Sequence, residues 1–89
     1  MVVILNPAAR GERARALADR IRSLSGNVEV RLTSQPGEAK TLAQAAAMEG
    51  ASTIVAAGGD GTVNEVVNGM AGSDARFGIL PVGTMNVFA

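Results

Sequence analysis

Short apolar runs alternate along this chain with segments whose apolar residues recur at helical spacing, and that alternation constrains the fold more than any other feature. The runs are VVIL at 2–5, VEVRLT at 28–33, STIVAA at 52–57 and FGILPVG at 77–83. Strands separated by helices must be joined by crossovers, which are right-handed and yield a mostly parallel sheet with helices on both faces. VVIL is continuous and β-branched, which suits a strand buried on both sides, and NPAARG follows it as a turn. From Glu12 to Ser25, Ala14, Leu17, Ala18, Ile21 and Leu24 share one helical face, with Arg13, Arg15, Asp19, Arg20 and Arg22 on the other and Gly26 as a left-handed cap. The second helix is expected to restart at SQPGEA, with Ser34 as cap and Pro36 in its first turn. It carries a stripe of Ala39, Leu42, Ala43 and Ala46, and Gly50 ends it. The third spans Thr62 to Met70, with Val63, Val66, Val67 and Met70 on one side. The expected class is therefore α/β, a three-layer Rossmann-like arrangement in the order β-α-β-α-β-α-β.

In such sheets ligands bind beyond the carboxyl ends of the strands, so three loops fall on the functional edge: NPAARG, GGDGT and PVGT. Composition narrows what they can do. The chain has no cysteine and no histidine, which excludes disulfides, thiolate metal sites and the usual general base. Chemistry is left to carboxylates, hydroxyls, cations and backbone. Net charge is zero, so nothing points to nucleic acid. Six of the eight basic residues lie between Arg10 and Arg31; Arg13, Arg15, Arg20 and Arg22 read first as a solvated helix face, with attraction to anionic lipid as the alternative. Apolar runs fall far short of a membrane span and no basic flank marks a signal peptide, so a cytoplasmic location is expected. Met48, Met70 and Met85 read as core or interface filler. The closing GTMNVFA reads as a loop entering another helix, so the sequence is expected to be a piece of something longer.

Gly58, Gly59 and Gly61 crowd three glycines into four positions between the third strand and the third helix. Glycine lets backbone N–H groups approach a ligand without interference from Cβ, and the free N–H groups and positive dipole end of a helix start favour phosphate. Asp60 in such a cradle would repel a bare phosphate by roughly 4 kcal/mol at about 4 Å and an effective dielectric of about 20. It makes sense beside a cation or as a proton acceptor, so Asp60 is the candidate catalytic and metal-binding residue. Magnesium bridging nucleotide phosphates to the carboxylate fits, as does a base acting on an attacking hydroxyl. The plainer reading makes Asp60 a helix cap.

GGDGTVNEVVNG, with NPAARG ahead of it and ILPVGTMNVFA behind, resembles the amino-terminal part of the diacylglycerol kinase catalytic domain, the lipid kinase family that includes the sphingosine kinases. The resemblance runs over residues 1–89 in the right order. It implies ATP-dependent phosphorylation of a lipid hydroxyl at a membrane surface, by an enzyme whose nucleotide lies between a Rossmann-like domain and a larger β-rich domain. Only the first would be present here. The cofactors implied are ATP and Mg2+. By the resemblance Gly58, Gly59, Asp60, Gly61, Thr62, Val63, Asn64 and Glu65 line the phosphates and their surroundings. Asn6, Pro7, Ala8, Ala9 and Arg10 match the first phosphate-side loop, Thr33 a threonine at the end of the second strand, and Thr84 the last loop. The carboxylate that activates the lipid lies in the β-rich domain, so these 89 residues alone are expected to be inactive and to self-associate through an uncovered domain interface.

This chain departs from the family pattern in three places: Ala9-Arg10 where glycine is common, Glu38 where a histidine is common, and Val87 after the asparagine of the last loop. Each site residue also has a structural reading. Thr33 is a β-former at a turn, Glu65 can face solvent, Asn68-Gly69 is a helix stop, and Thr84 can cap a helix. Two other functions stay open: an NAD kinase, against which NEVVNG and PVGTMNVF argue, and a nucleotide-binding module without turnover.

Overall fold

The computed structural model describes residues 1–6, 12–24 and 27–80. The elements are β1 (Val2–Leu5), α1 (Glu12–Leu24), β2 (Glu29–Leu32), α2 (Glu38–Met48), β3 (Thr53–Ala57), α3 (Asp60–Gly69) and β4 (Arg76–Leu80). The strands form one sheet in the order β2-β1-β3-β4, and every neighbouring pair is parallel. Val2 pairs with Glu29 on one side and Ile54 on the other, and Leu5 with Leu32 and Ala57. The expected class and element order are thus observed.

Residues opposite one another in a parallel sheet share a face, and successive residues alternate. Val2, Ile4, Ile54 and Ala56 accordingly pack with Ala39, Ala43 and Ala46 of α2 and with Val66 and Met70 around the end of α3. Val3, Leu5, Val30 and Ala57 meet Ala18 of α1 on the opposite face. All four residues of β1 are buried, as its unbroken apolar run requires, and Ile4 and Leu5 are fully enclosed. Burying such side chains contributes about 1.5–3 kcal/mol each. Phe77 and Ile79 lie opposite Ile54 and Ala56, yet on the edge strand they stay 38% and 55% exposed.

The layer of α2 and α3 is closely packed because its contact residues are small. A Cβ on Gly69 would sit 2.3 Å from the Lys40 carbonyl oxygen and 2.9 Å from the Ala43 Cβ. Asn68-Gly69 does mark the helix end, but through packing: Gly69 is the last residue of α3, Met70 is the cap, and positive φ comes only at Gly72. Gly50 does stop α2 by conformation. It has φ 89°, its N–H donates to the Ala47 carbonyl, and the Ala51 N–H donates to that of Ala46, the paired bonds of a Schellman ending.

The beginning of α2 differs from expectation. Its cap is Gly37, at φ 85°, and not Ser34; the Ser34 N–H and hydroxyl both donate to Glu38 Oε1, which closes the turn ahead of the helix. Met48 is 82% exposed, so it is no core filler, and Val67 lies on the surface although its spacing put it with Val63 and Val66; Met70 is buried. Arg31 joins the β2 edge to the end of α2, with Nε 2.6 Å from Glu29 and Nη2 2.6 Å from Glu49. These bonds, that to Glu29 foremost, make Arg31 hold its proton more tightly. Arg20 is exposed, and Arg22 bonds Asp19 and the Val30 carbonyl, as a solvated helix face would. Gly26 and the side chains of Arg13 and Arg15 lie outside the described part. No described helix is long and apolar enough to cross a membrane.

Candidate functional site

The parallel ladder continues past the strands and sets three chain exits side by side. Thr33 N–H donates to the Leu5 carbonyl at 3.0 Å, and Asn6 N–H donates to the Ala57 carbonyl at 3.1 Å. Thr33, Asn6 and Gly58 therefore stand in a row along the carboxyl edge. The helix after β1 packs on one face of the sheet, while the helix after β3 packs on the other. Where consecutive crossovers leave in opposite directions a crevice opens, the usual ligand position of open α/β sheets. Here it lies between β1 and β3. Asn6 Nδ2 spans it to donate to Thr62 Oγ1, a long bond of 3.5 Å between residues 56 apart in sequence.

The three loop glycines have different surroundings. A Cβ on Gly58 would lie 2.8 Å from Thr62 Oγ1 and 3.0 Å from its Cβ, so the fold itself demands glycine there. A Cβ on Gly59 or Gly61 would meet nothing within 4 Å among the described residues. Neither has positive φ. Turn geometry and the packing of the described residues thus give no reason for glycine at 59 and 61; open ground beside their backbone is what those positions share there. Val63 N–H makes the first helical bond, to the Gly59 carbonyl at 3.1 Å. Helix geometry leaves the N–H groups of Asp60, Gly61 and Thr62 ahead of that bond without intrahelical partners, at the positive end of the dipole.

Asp60 is exposed and is the first residue of α3; the cap is Gly59, with no side-chain capping bond. The carboxylate is therefore not the helix cap, and it has no hydrogen-bond or ion-pair partner among the described residues. No group of three or more carboxylate, imidazole or thiolate ligands forms among the described residues. The donor set fits a divalent ion that arrives with phosphate: one carboxylate, with phosphate oxygens and water completing the shell, which is how Mg2+ is commonly held.

The remaining site residues divide. Thr62 is 5% exposed, so its side chain faces inward and only its backbone reaches the edge. Thr33 is also buried, beside Asn6 in the row. Val63 packs against the core, Glu65 is half-buried and Asn64 is exposed. Pro7, Ala8, Ala9, Arg10 and Thr84 lie outside the described residues. Two contacts near the edge went unread in the sequence: the support of Gly58 by Thr62, and the grip of Glu38 on Ser34. The spacing of Ser34 and Glu38 held a hint, since a hydroxyl and a carboxylate one helical turn apart often close a helix start.

The fold is thus a doubly wound α/β sheet whose crevice carries a glycine-rich helix start and an exposed carboxylate. A family model described as the diacylglycerol kinase catalytic domain matches residues 1–89, and the chain belongs to that family. It is 37% identical over 93 residues to a YegS-like lipid kinase of Serratia proteamaculans, covering 100% of this chain and 30% of that one. With a YegS-like lipid kinase of Cronobacter sakazakii the identity is 41% over 92 residues, covering 98% and 31%. With the diacylglycerol kinase of Bacillus subtilis it is 52% over 59 residues, covering 64% and 20%. A crystal structure described as a diacylglycerol kinase from Bacillus anthracis superposes with a TM-score of 0.72 at 27% identity, covering 90% of this chain and 31% of the other. The chain thus spans about 30% of the length of the YegS-like relatives.

Proposed function

We propose that this chain supplies the nucleotide side of an ATP-dependent lipid kinase, which transfers the terminal phosphoryl group of ATP to a lipid hydroxyl at a membrane surface. The supporting observation is the backbone at Gly59 and Gly61, open among the described residues and set at the start of α3 beside an Asp60 that no described side chain or backbone group engages. Phosphoryl transfer asks a protein mainly to position reactants and to offset charge. The N–H groups of residues 59–62 would take phosphate oxygens, and Asn6 and Thr33 would border the cradle from the neighbouring strands. Asp60 would hold Mg2+ or take the proton of the attacking hydroxyl. Mg2+, when bound, supplies charge neutralisation across the phosphates. The acceptor pocket and a second carboxylate would come from residues beyond these 89, in a β-rich domain.

The test is a kinase assay on the full-length protein with diacylglycerol, phosphatidylglycerol, sphingoid bases and NAD as acceptors, wild type beside Asp60→Asn. We expect one lipid class to be phosphorylated and kcat/KM to fall about a hundredfold in Asp60→Asn with unchanged thermal stability. Phosphorylation of NAD alone, or Mg-ATP binding without turnover on any acceptor, would replace this reading. Full activity in Asp60→Asn would remove the role given to that carboxylate.

A further inference from the structure

We propose that Thr62 is a positioning residue, whose buried hydroxyl joins the β1 exit to the β3 exit and sets the Gly59–Gly61 amides in place before any ligand arrives. The proposal rests on the phosphate-cradle reading above. Gly59, Asp60 and Gly61 are exposed, whereas Thr62 beside them is 5% exposed. Its side chain is touched from two directions. Asn6 donates to Oγ1 at 3.5 Å, and Asn6 is itself held on the ladder through its N–H to the Ala57 carbonyl. From above, the Gly58 backbone lies so near that a Cβ would meet Oγ1 at 2.8 Å, Cβ at 3.0 Å and Cγ2 at 3.3 Å.

The chemistry of the loop explains why such a tie is useful. Glycine loses more conformational freedom on ordering than any other residue, so a glycine-rich cradle left to itself would be ordered at the ligand's expense. A hydroxyl bonded to Asn6 and closed in by the Gly58 backbone orders the loop as part of folding, and a preformed site binds more tightly. Thr62 would therefore act on phosphate only through the amides whose direction it sets. Its family-derived place among the phosphate-lining residues becomes an indirect one.

The experiment compares Thr62→Val, Thr62→Ser, Asn6→Ala and the Thr62→Val/Asn6→Ala pair in the full-length protein. Two quantities are read: hydrogen exchange, without nucleotide, of the Val63 N–H that is bonded to the Gly59 carbonyl, and the Kd for Mg-ATP by calorimetry. Thr62→Val keeps the shape and removes the hydroxyl. It should speed exchange and weaken Mg-ATP by about tenfold each, the loss expected for one hydrogen bond. Thr62→Ser should restore most of both, and the double variant should be no worse than either single one. Wild-type exchange and affinity in Thr62→Val would overturn the proposal, as would independent, multiplying effects in the double variant. Asn6→Ala carries the same test if Thr62→Val fails to fold, because a purely ligand-contacting Asn6 would not alter exchange in the free protein. Faster exchange in Thr62→Val, in a protein whose wild type binds no Mg-ATP, would uphold the tie and overturn the phosphate reading instead.

Discussion

The two ends of α3 both carry glycine, for opposite reasons. At the carboxyl end, Gly69 lies so close to α2 that a side chain would collide with the Lys40 carbonyl oxygen at 2.3 Å. At the amino end, a side chain on Gly59 or Gly61 would enter open space among the described residues, while Gly58 next to them is again closed off, by Thr62. Glycine destabilises a helix by roughly 0.5–1 kcal/mol relative to alanine. Gly69 offsets that cost by letting two helices approach. Gly59 and Gly61 show no such return among the described residues, which fits a reason outside the packing of the sheet and helices. One residue type thus serves the fold at one end and a candidate ligand at the other, and the space around it tells them apart.

The comparison breaks most easily at Gly69. Gly69→Ala would force α2 and α3 apart against a backbone atom, which cannot swing aside, and should destabilise by about 3 kcal/mol, the upper range for overpacking. Urea unfolding measures it; a change below about 0.5 kcal/mol would mean that the two helices are not in backbone contact. Next in size are Gly59→Ala and Gly61→Ala. Each should weaken Mg-ATP about tenfold by filling the ground beside the amides, and Gly61→Ala should leave stability unchanged or raise it by up to about 1 kcal/mol. Calorimetry and unfolding on the same samples separate the two ends: lost stability with unchanged binding would place these glycines with Gly69.

The smallest effect concerns a contact that serves only the fold. The hydrogen bond from Arg31, with its charge, holds the Glu29 carboxyl below its ordinary value of 4.5. A group whose folded pKa is depressed contributes stability that is full above the unfolded value and is lost as pH falls through the folded one. Glu29→Gln should therefore match wild type at low pH and fall slightly behind above about pH 4.5. Exposed pairs contribute little, and salt should shrink the gap further. A gap that widened toward acid would contradict the pairing.

Much of this was legible along the chain. The unbroken VVIL did become the fully buried central strand, and Gly50 did stop α2, because both depend on residues a few positions apart. The cradle at 58–61 was legible as a cluster of glycines, though not as two kinds of glycine. Val67 shows the limit of periodicity: it shares the helical stripe of Val63 and Val66 but is 44% exposed, because spacing names a face without saying how far its neighbours cover it. Ser34 shows another. Its cap-like chemistry was recognisable, but Gly37 in the left-handed region starts α2, and Ser34 serves as donor to Glu38.

The order of elements, the parallel pairing and the edge on which loops gather were set by the sequence alone, since propensity, periodicity and crossover handedness act locally or follow from chain connection. Which glycines are indispensable to the fold, which hydroxyl turns inward and which acid stays exposed were decided only in three dimensions. The Lys40 carbonyl beside Gly69 and the Asn6 amide beside Thr62 come from distant segments, and short-range steric contact between such segments leaves no periodic trace in the order of residues.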